Sequence, residues 1–124
     1  MSYQILYEPG DRDLIIVQYH EAVRLEQFYA ALTASLQYPR ESTRTFDIVF
    51  ELADTEPPSL DLLPKLYRAA VLPETAPALS MIILVVNNDF MATLVTAFIQ
   101  LYPIAGKYYR VVNSMDEARR LINS

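Results

Sequence analysis

The stretch TAPALSMIILVVNNDFMATLVTAFIQLYPIAG, residues 75–106, decides the fold of this chain. It contains an unbroken apolar run, residues 81–86, of the kind that forms a strand buried on both faces of a sheet. A polar turn at residues 87–89 follows, and the next apolar segment predicts a helix over residues 90–102. Because another apolar strand, residues 108–112, comes directly afterwards, the stretch predicts a strand–helix–strand unit and therefore a parallel sheet.

The rest of the chain continues this alternation of strands and helices. Further strands are predicted at residues 3–7, 14–19 and 47–52, and further helices at residues 25–37, from Asp61 or later to Val71, and from a Ser114 cap to Ile122. The turn after the first strand is rich in breakers, so the first two strands should form an antiparallel hairpin with the first strand at the sheet edge. The strand at residues 81–86 should be central. The sequence thus predicts one α/β domain over residues 1–124, a mixed, mostly parallel five-stranded sheet in the order ββαβαβαβα with helices packed on it.

Composition excludes several classes of function. Fifteen Asp and Glu outnumber ten Lys and Arg without any basic cluster, which argues against nucleic acid binding. There is no cysteine and only one histidine, His20, which excludes thiol catalysis and Cys- or His-rich metal sites. The only two glycines, Gly10 and Gly106, exclude Gly-rich phosphate loops and a strained nucleophile turn. We therefore expect no catalytic residues, no metal and no cofactor.

Two features bear on membranes and location. The N-terminal residues MSYQILYEPG lack a basic segment followed by an apolar run, so no signal peptide is predicted. The uncharged run after Asp89 is interrupted by Thr93, Thr96, Gln100 and Pro103 and is short for a membrane span, which needs about 20 apolar residues. We expect a cytoplasmic protein with no membrane span.

Polar residues follow each parallel strand, where ligands bind in open parallel sheets. They are His20, Glu21, Asp54, Thr55, Glu56, Asn87, Asn88, Asp89, Asn113, Ser114 and Asp116. Of these, we take Asp54, Asn87, Asn88 and Asp89 as candidates for contact with a ligand or partner. The simplest interpretation of Asp89 and Ser114 is that they cap helices, Ser114 in a capping box with Glu117. An enzyme acting through this acidic edge is an alternative.

The predicted helix over residues 90–102 carries no charge, whereas ordinary surface helices have a charged outer face. Its two inward rows are Phe90-Leu94-Phe98-Tyr102 and Met91-Val95-Ile99, and the preceding helix turns Leu63, Leu66, Tyr67 and Ala70 inward. Three interpretations of the missing charge are open. The first is that the helix is deeply buried. The second is that Thr93, Thr96 and Gln100 on its outer face form a homo-oligomer contact. The third is that this face binds a lipid or another apolar ligand.

The segments DLIIVQY, FDIVFELADTEPPSLDLLPKL, MIILVVNNDFMATLVTAFIQL and VNSMDEARRLI resemble, in spacing and polarity, the SpoIIAA-like group of STAS/Sec14-type domains. The resemblance implies regulatory binding, as in anti-sigma factor antagonists, where a Ser or Thr at the start of the helix after the third strand is phosphorylated. The matching positions are Thr55 and Ser59, and where those proteins have an Asp-Ser pair this chain has Asp54-Thr55. The Sec14 side of the resemblance implies a small apolar ligand or a lipid. We predict a non-enzymatic regulatory or protein-interaction module.

Overall fold

The computed structural model describes residues 3–10, 12–19, 25–37, 45–52, 66–87 and 89–123. Its elements are β1 (Tyr3–Glu8), β2 (Asp13–Tyr19), α1 (Leu25–Gln37), β3 (Phe46–Glu51), α2 (Tyr67–Val71), β4 (Leu79–Val85), α3 (Asp89–Leu101), β5 (Tyr109–Val112) and α4 (Met115–Ile122). Short 3-10 segments follow α2 and α3, at Leu72–Thr75 and Pro103–Lys107. The predicted order of elements is confirmed, and the predicted start of α2 near Asp61 lies outside the described residues.

The five strands form one mixed sheet in the order β1-β2-β3-β4-β5. β1 runs antiparallel to β2, and every other neighbouring pair is parallel. The mostly parallel sheet and the edge position of β1 are therefore confirmed. The prediction that the strand at residues 81–86 is central is wrong in one respect, because β3 occupies the middle and β4 lies between β3 and β5. Each crossover adds the next strand beside the previous one, and this places the third strand of five at the centre.

The helices cover the two faces of the sheet unequally. One cluster of buried side chains joins Ile15, Ile48 and Ile82 of the sheet to Leu32 of α1, Ala70 of α2 and Phe98 of α3. The opposite cluster joins Leu14, Ile16, Val49, Ile83 and Val85 to Ala118 of α4. Crossovers between parallel strands are right-handed, so a sequential strand order puts all three crossover helices on the same face. Among the described helices, α3 therefore belongs to a layer of three, and α4 is the one on the other face.

A buried ion pair fixes the turn between β1 and β2 to the middle of the sheet. Asp47 in β3 is fully buried, and its Oδ1 accepts hydrogen bonds from Arg12 Nη2 at 2.9 Å and from the Met81 amide at 3.1 Å. Burial raises the pKa of Asp47, although the charge of Arg12 opposes that change. The three groups come from the β1–β2 turn, β3 and β4, so one carboxylate links three parts of the sheet.

In the described part of the chain, none of the helices has the length and apolarity that crossing a membrane requires.

Candidate functional site

A shallow cleft of about 350 Å³ lies at the carboxyl ends of β4 and β5, beside the first turns of α3 and α4. We call it the strand-end cleft, and its lining residues are Val86, Asn87, Asp89, Ala92, Val111, Val112, Asn113 and Glu117. The structure thus brings Asn87 and Asp89, two of the predicted contact residues, together with Asn113. The parallel pairing of β4 and β5 is the cause, because the ends of parallel strands meet at one edge.

Several other predicted residues lie outside the described residues: Asp54 and Asn88 of the candidate contact set, the candidate phosphorylation positions Thr55 and Ser59, Glu56, and the pair His20 and Glu21. Asp116 is exposed on α4 and does not line the cleft.

The predicted capping box forms one wall of the strand-end cleft. The backbone N–H of Glu117 donates to Ser114 Oγ at 3.1 Å, and the backbone N–H of Asn113, the residue before the cap, donates to Glu117 Oε2 at 2.8 Å. Ser114 is therefore the cap of α4, as predicted. Both bonds stabilise the first turn of α4. Glu117 lines the cleft, although the sequence did not predict it as a contact residue.

Asp89 differs from its prediction by one position. α3 begins at Asp89 itself, so this residue lies in the first helical turn rather than before it. A carboxylate there still stabilises the helix, because the unpaired N–H groups of the first turn carry partial positive charge. The cleft is lined by two carboxylates, of Asp89 and Glu117, and by two amide side chains, of Asn87 and Asn113. Among the described residues, no group of three or more His, Cys, Asp or Glu could hold a metal ion.

A second surface lies on α3, on the side away from the sheet. We call it the α3 outer face, and it consists of Ala92, Thr93, Thr96, Ala97 and Gln100, which line a groove of about 290 Å³. Thr93, Thr96 and Gln100 are the three predicted contact residues, and all three are exposed. The opposite side of α3 packs into the core through Met91, Leu94, Val95 and Phe98. Core burial therefore accounts for the inner side of α3 but leaves the absence of charge on its outer face unexplained.

Two large apolar side chains outside this groove are exposed near the ends of α3. Phe90 is 47% exposed and Leu101 is 51% exposed. Placing Phe90 in an inward row was wrong, although Leu94 and Phe98 of that row are buried. Helical periodicity assigns Phe90 to the same side as Leu94, but Phe90 lies in the first turn of α3, just after the strand-end turn, where less of the sheet lies beneath it.

Another exposed aromatic side chain lies on the neighbouring helix. Tyr67 of α2 is 59% exposed, so its predicted inward orientation is wrong, whereas Ala70 is fully buried as predicted. The Tyr67 ring meets the Tyr102 ring edge-on at 5.7 Å, and Tyr102 meets Phe98 at 5.9 Å. These contacts connect the exposed ring of Tyr67 to the end of α3.

The polarity of the α3 outer face is lower than its composition suggests. The Thr96 hydroxyl donates to the Ala92 carbonyl oxygen at 2.9 Å, which satisfies it within the helix. A partner that displaces water from Thr96 therefore leaves no unpaired donor there, and such an unpaired buried group would cost about 1–3 kcal/mol.

Comparisons with protein-family models, with curated proteins and with solved structures found no match to this chain. The functional interpretation therefore rests on the two surfaces.

Proposed function

We propose that this chain is a non-enzymatic, cytoplasmic protein-interaction module of the SpoIIAA-like STAS type, and that it contacts its partner through the α3 outer face. One observation carries the proposal. Every residue of α3 after Asp89 is uncharged, yet the outer side of the helix is exposed and carries a groove, and Phe90 and Leu101 are exposed near the two ends of the helix. Solvated helix faces are charged, and exposed apolar patches mark contact surfaces.

The charge distribution supports a protein contact on this face. Charged residues make up 20% of the chain, and none of them lines the groove on α3. Burying an unpaired charge costs several kcal/mol, and the centres of protein interfaces are depleted of charged residues for that reason. The α3 outer face can be buried without this cost.

The order of elements supports the regulatory part of the proposal. The antiparallel hairpin followed by alternating helices and strands is the layout on which the resemblance to STAS domains rests. Phosphorylation of Thr55 or Ser59 belongs to the proposal as the regulatory step that this resemblance implies.

A second candidate function is binding of a small polar ligand at the strand-end cleft. The convergence of Asn87, Asp89 and Asn113 in one cleft favours it. A thermal-shift screen with small polar metabolites, amines included, should then raise the melting temperature of the wild type but not of Asp89→Asn, and a flat response would remove this candidate.

Photo-crosslinking tests the interaction module directly. A benzophenone amino acid at Thr96, on the α3 outer face, should give a covalent protein adduct on irradiation of the cells from which the chain comes. The matched control places the same residue at Asp116, which is exposed on α4 on the opposite face of the sheet. Absence of an adduct from Thr96, or equal adducts from both positions, would contradict the proposal.

A further inference from the structure

We propose that a cleft between the β1–β2 turn and the end of α4 binds the carboxylate of a small organic acid that carries a short apolar chain or ring. We call it the turn cleft. It has a volume of about 480 Å³, and the lining residues that bear on binding are Glu8, Arg12, Leu14, Arg119, Ile122 and Asn123. It lies on the α4 face of the sheet, where β2 begins, so it is separate from α3 and the proposal goes beyond the proposed function.

Arg12 is held in place by the sheet and still has hydrogen-bond donors for a ligand. Its Nη2 donates to Oδ1 of the fully buried Asp47 at 2.9 Å, while 36% of the Arg12 side chain is exposed. A guanidinium has five N–H donors, and the described residues accept from only this one. Arg12 Nε is itself buried, so the Nη groups are the ones that a ligand can reach. Because Asp47 already fixes the guanidinium, binding costs little side-chain entropy.

The ion pair of Glu8 and Arg119 shows which chemical group fits the turn cleft. The two Nη atoms of Arg119 donate to the two carboxylate oxygens of Glu8 at 3.1 and 3.0 Å, in the paired geometry by which guanidinium groups recognise carboxylates. Both side chains are about half exposed, and exposed ion pairs contribute little to stability. A ligand carboxylate that also reaches Arg12 can therefore replace Glu8 at Arg119, and Glu8 then turns to solvent.

The charges around the turn cleft favour a ligand with a single negative charge. Each of the two arginines is already paired with one acidic residue, and the whole chain has a net charge of −5. The last carbonyl groups of α4, which ends at Ile122, add partial negative charge nearby. One carboxylate can take the place of the Glu8 carboxylate, whereas a polyanion would bring further negative charge towards the acidic residues and the helix end.

Apolar side chains define the rest of the ligand. Leu14 at the start of β2 and Ile122 at the end of α4 line the turn cleft beside the charged groups, and both belong to the core between the sheet and α4. The adjoining Asn123 amide can donate to or accept from a polar substituent. An apolar wall with a few polar groups is typical of small-molecule sites, and a volume of about 480 Å³ lies in their size range. The ligand is therefore an acid with an apolar body rather than an inorganic anion.

Amide chemical shifts in two-dimensional NMR spectra of the whole chain test this site, with sodium hexanoate as the probe. Hexanoate at millimolar concentration should shift the signals of Gly10, Arg12 and Asn123 in a saturable way. Hexanol, which lacks the charge, and inorganic phosphate, which lacks the apolar chain, should each bind about tenfold more weakly. No saturable shift with hexanoate, or an equal affinity for either of the other two probes, would overturn the proposal.

Substitutions in the turn cleft separate binding from a purely structural ion pair. Arg119→Gln should weaken hexanoate binding about tenfold, because it removes the paired donors. The matched control is Arg120→Gln, which is exposed on α4 but does not line the cleft and should bind as the wild type does. Glu8→Gln should tighten binding several-fold, because a neutral amide competes less well than a carboxylate for Arg119.

The outcome of these variants decides the proposal. Glu8 and Arg119 are both exposed, so neither substitution should unfold the chain, and unchanged amide signals from β3 and β4 verify this. If Arg119→Gln binds hexanoate as tightly as the wild type, or if Glu8→Gln binds it no more tightly, the ion pair only fastens α4 to the β1–β2 turn and the proposed site is wrong.

Discussion

Replacing Gln100 by Glu should weaken self-association through the α3 outer face without unfolding the chain. Gln100 is exposed, so the nearly isosteric substitution costs the folded monomer little. In the contact the new carboxylate would lose its water, and burying an unpaired charge costs on the order of 3 kcal/mol. Since 1.4 kcal/mol corresponds to a tenfold change, the dissociation constant should rise roughly 100-fold.

Sedimentation equilibrium from about 1 µM to 1 mM measures that change. The matched control is Gln4→Glu, because Gln4 is another exposed glutamine but lies on the edge strand β1, away from α3. We expect the control to keep the dissociation constant of the wild type. If the wild type dimerises and Gln100→Glu dimerises equally well, the contact does not use the α3 outer face and the reasoning fails.

Three further predictions concern the scaffold that holds α3 and the strand-end cleft in place, and urea unfolding measures each of them. Asp47→Ala should cost about 2–4 kcal/mol, because it leaves the Met81 backbone N–H and the Arg12 guanidinium without their acceptor. Burial raises the pKa of Asp47 above its unfolded value of about 3.9, so the folded state takes up the proton first as the pH falls. The stability of the wild type relative to Asp47→Asn should therefore increase as the pH falls from the raised pKa to the unfolded one, and an unchanged difference would contradict this reasoning. Tyr109→Phe should cost about 1–2 kcal/mol, since the buried Tyr109 hydroxyl donates to the Ala69 carbonyl oxygen at 2.7 Å, and a neutral effect would mean that water replaces this bond. Ser114→Ala should cost about 1 kcal/mol through loss of the α4 cap, with Ser114→Asp restoring most of it.

Much of the fold could be predicted because the chain alternates clearly between strand and helix patterns. The run at residues 81–86 is apolar throughout, and β4 does lie inside the sheet with both faces covered. The strand order could not be predicted from that run, because β3 is equally apolar in its middle, with Ile48 and Val49 facing opposite sides of the sheet and both fully buried. Whether β3 or β4 is central depends on how the crossovers order the strands, and the apolar pattern of each strand does not show that order.

The candidate surface was partly predictable for a similar reason. Helical periodicity puts Thr93, Thr96 and Gln100 on one side of α3, and the structure confirms that they line a single groove. The same periodicity assigned Phe90 and Tyr67 to the core, where the structure exposes them. Periodicity gives the direction of a side chain around its helix, but it does not say whether the sheet extends far enough to cover the first turn of that helix.

The mass of the wild-type chain in solution, measured by light scattering from low to high micromolar concentration, tests the central claim most directly. Self-association through the α3 outer face predicts a concentration-dependent rise from 14.2 kDa towards twice that mass. It also predicts that Thr96→Glu stays at 14.2 kDa throughout, because the contact would have to bury an unpaired carboxylate. A wild type that remains at 14.2 kDa at several hundred micromolar, or a Thr96→Glu variant that dimerises as the wild type does, would contradict it.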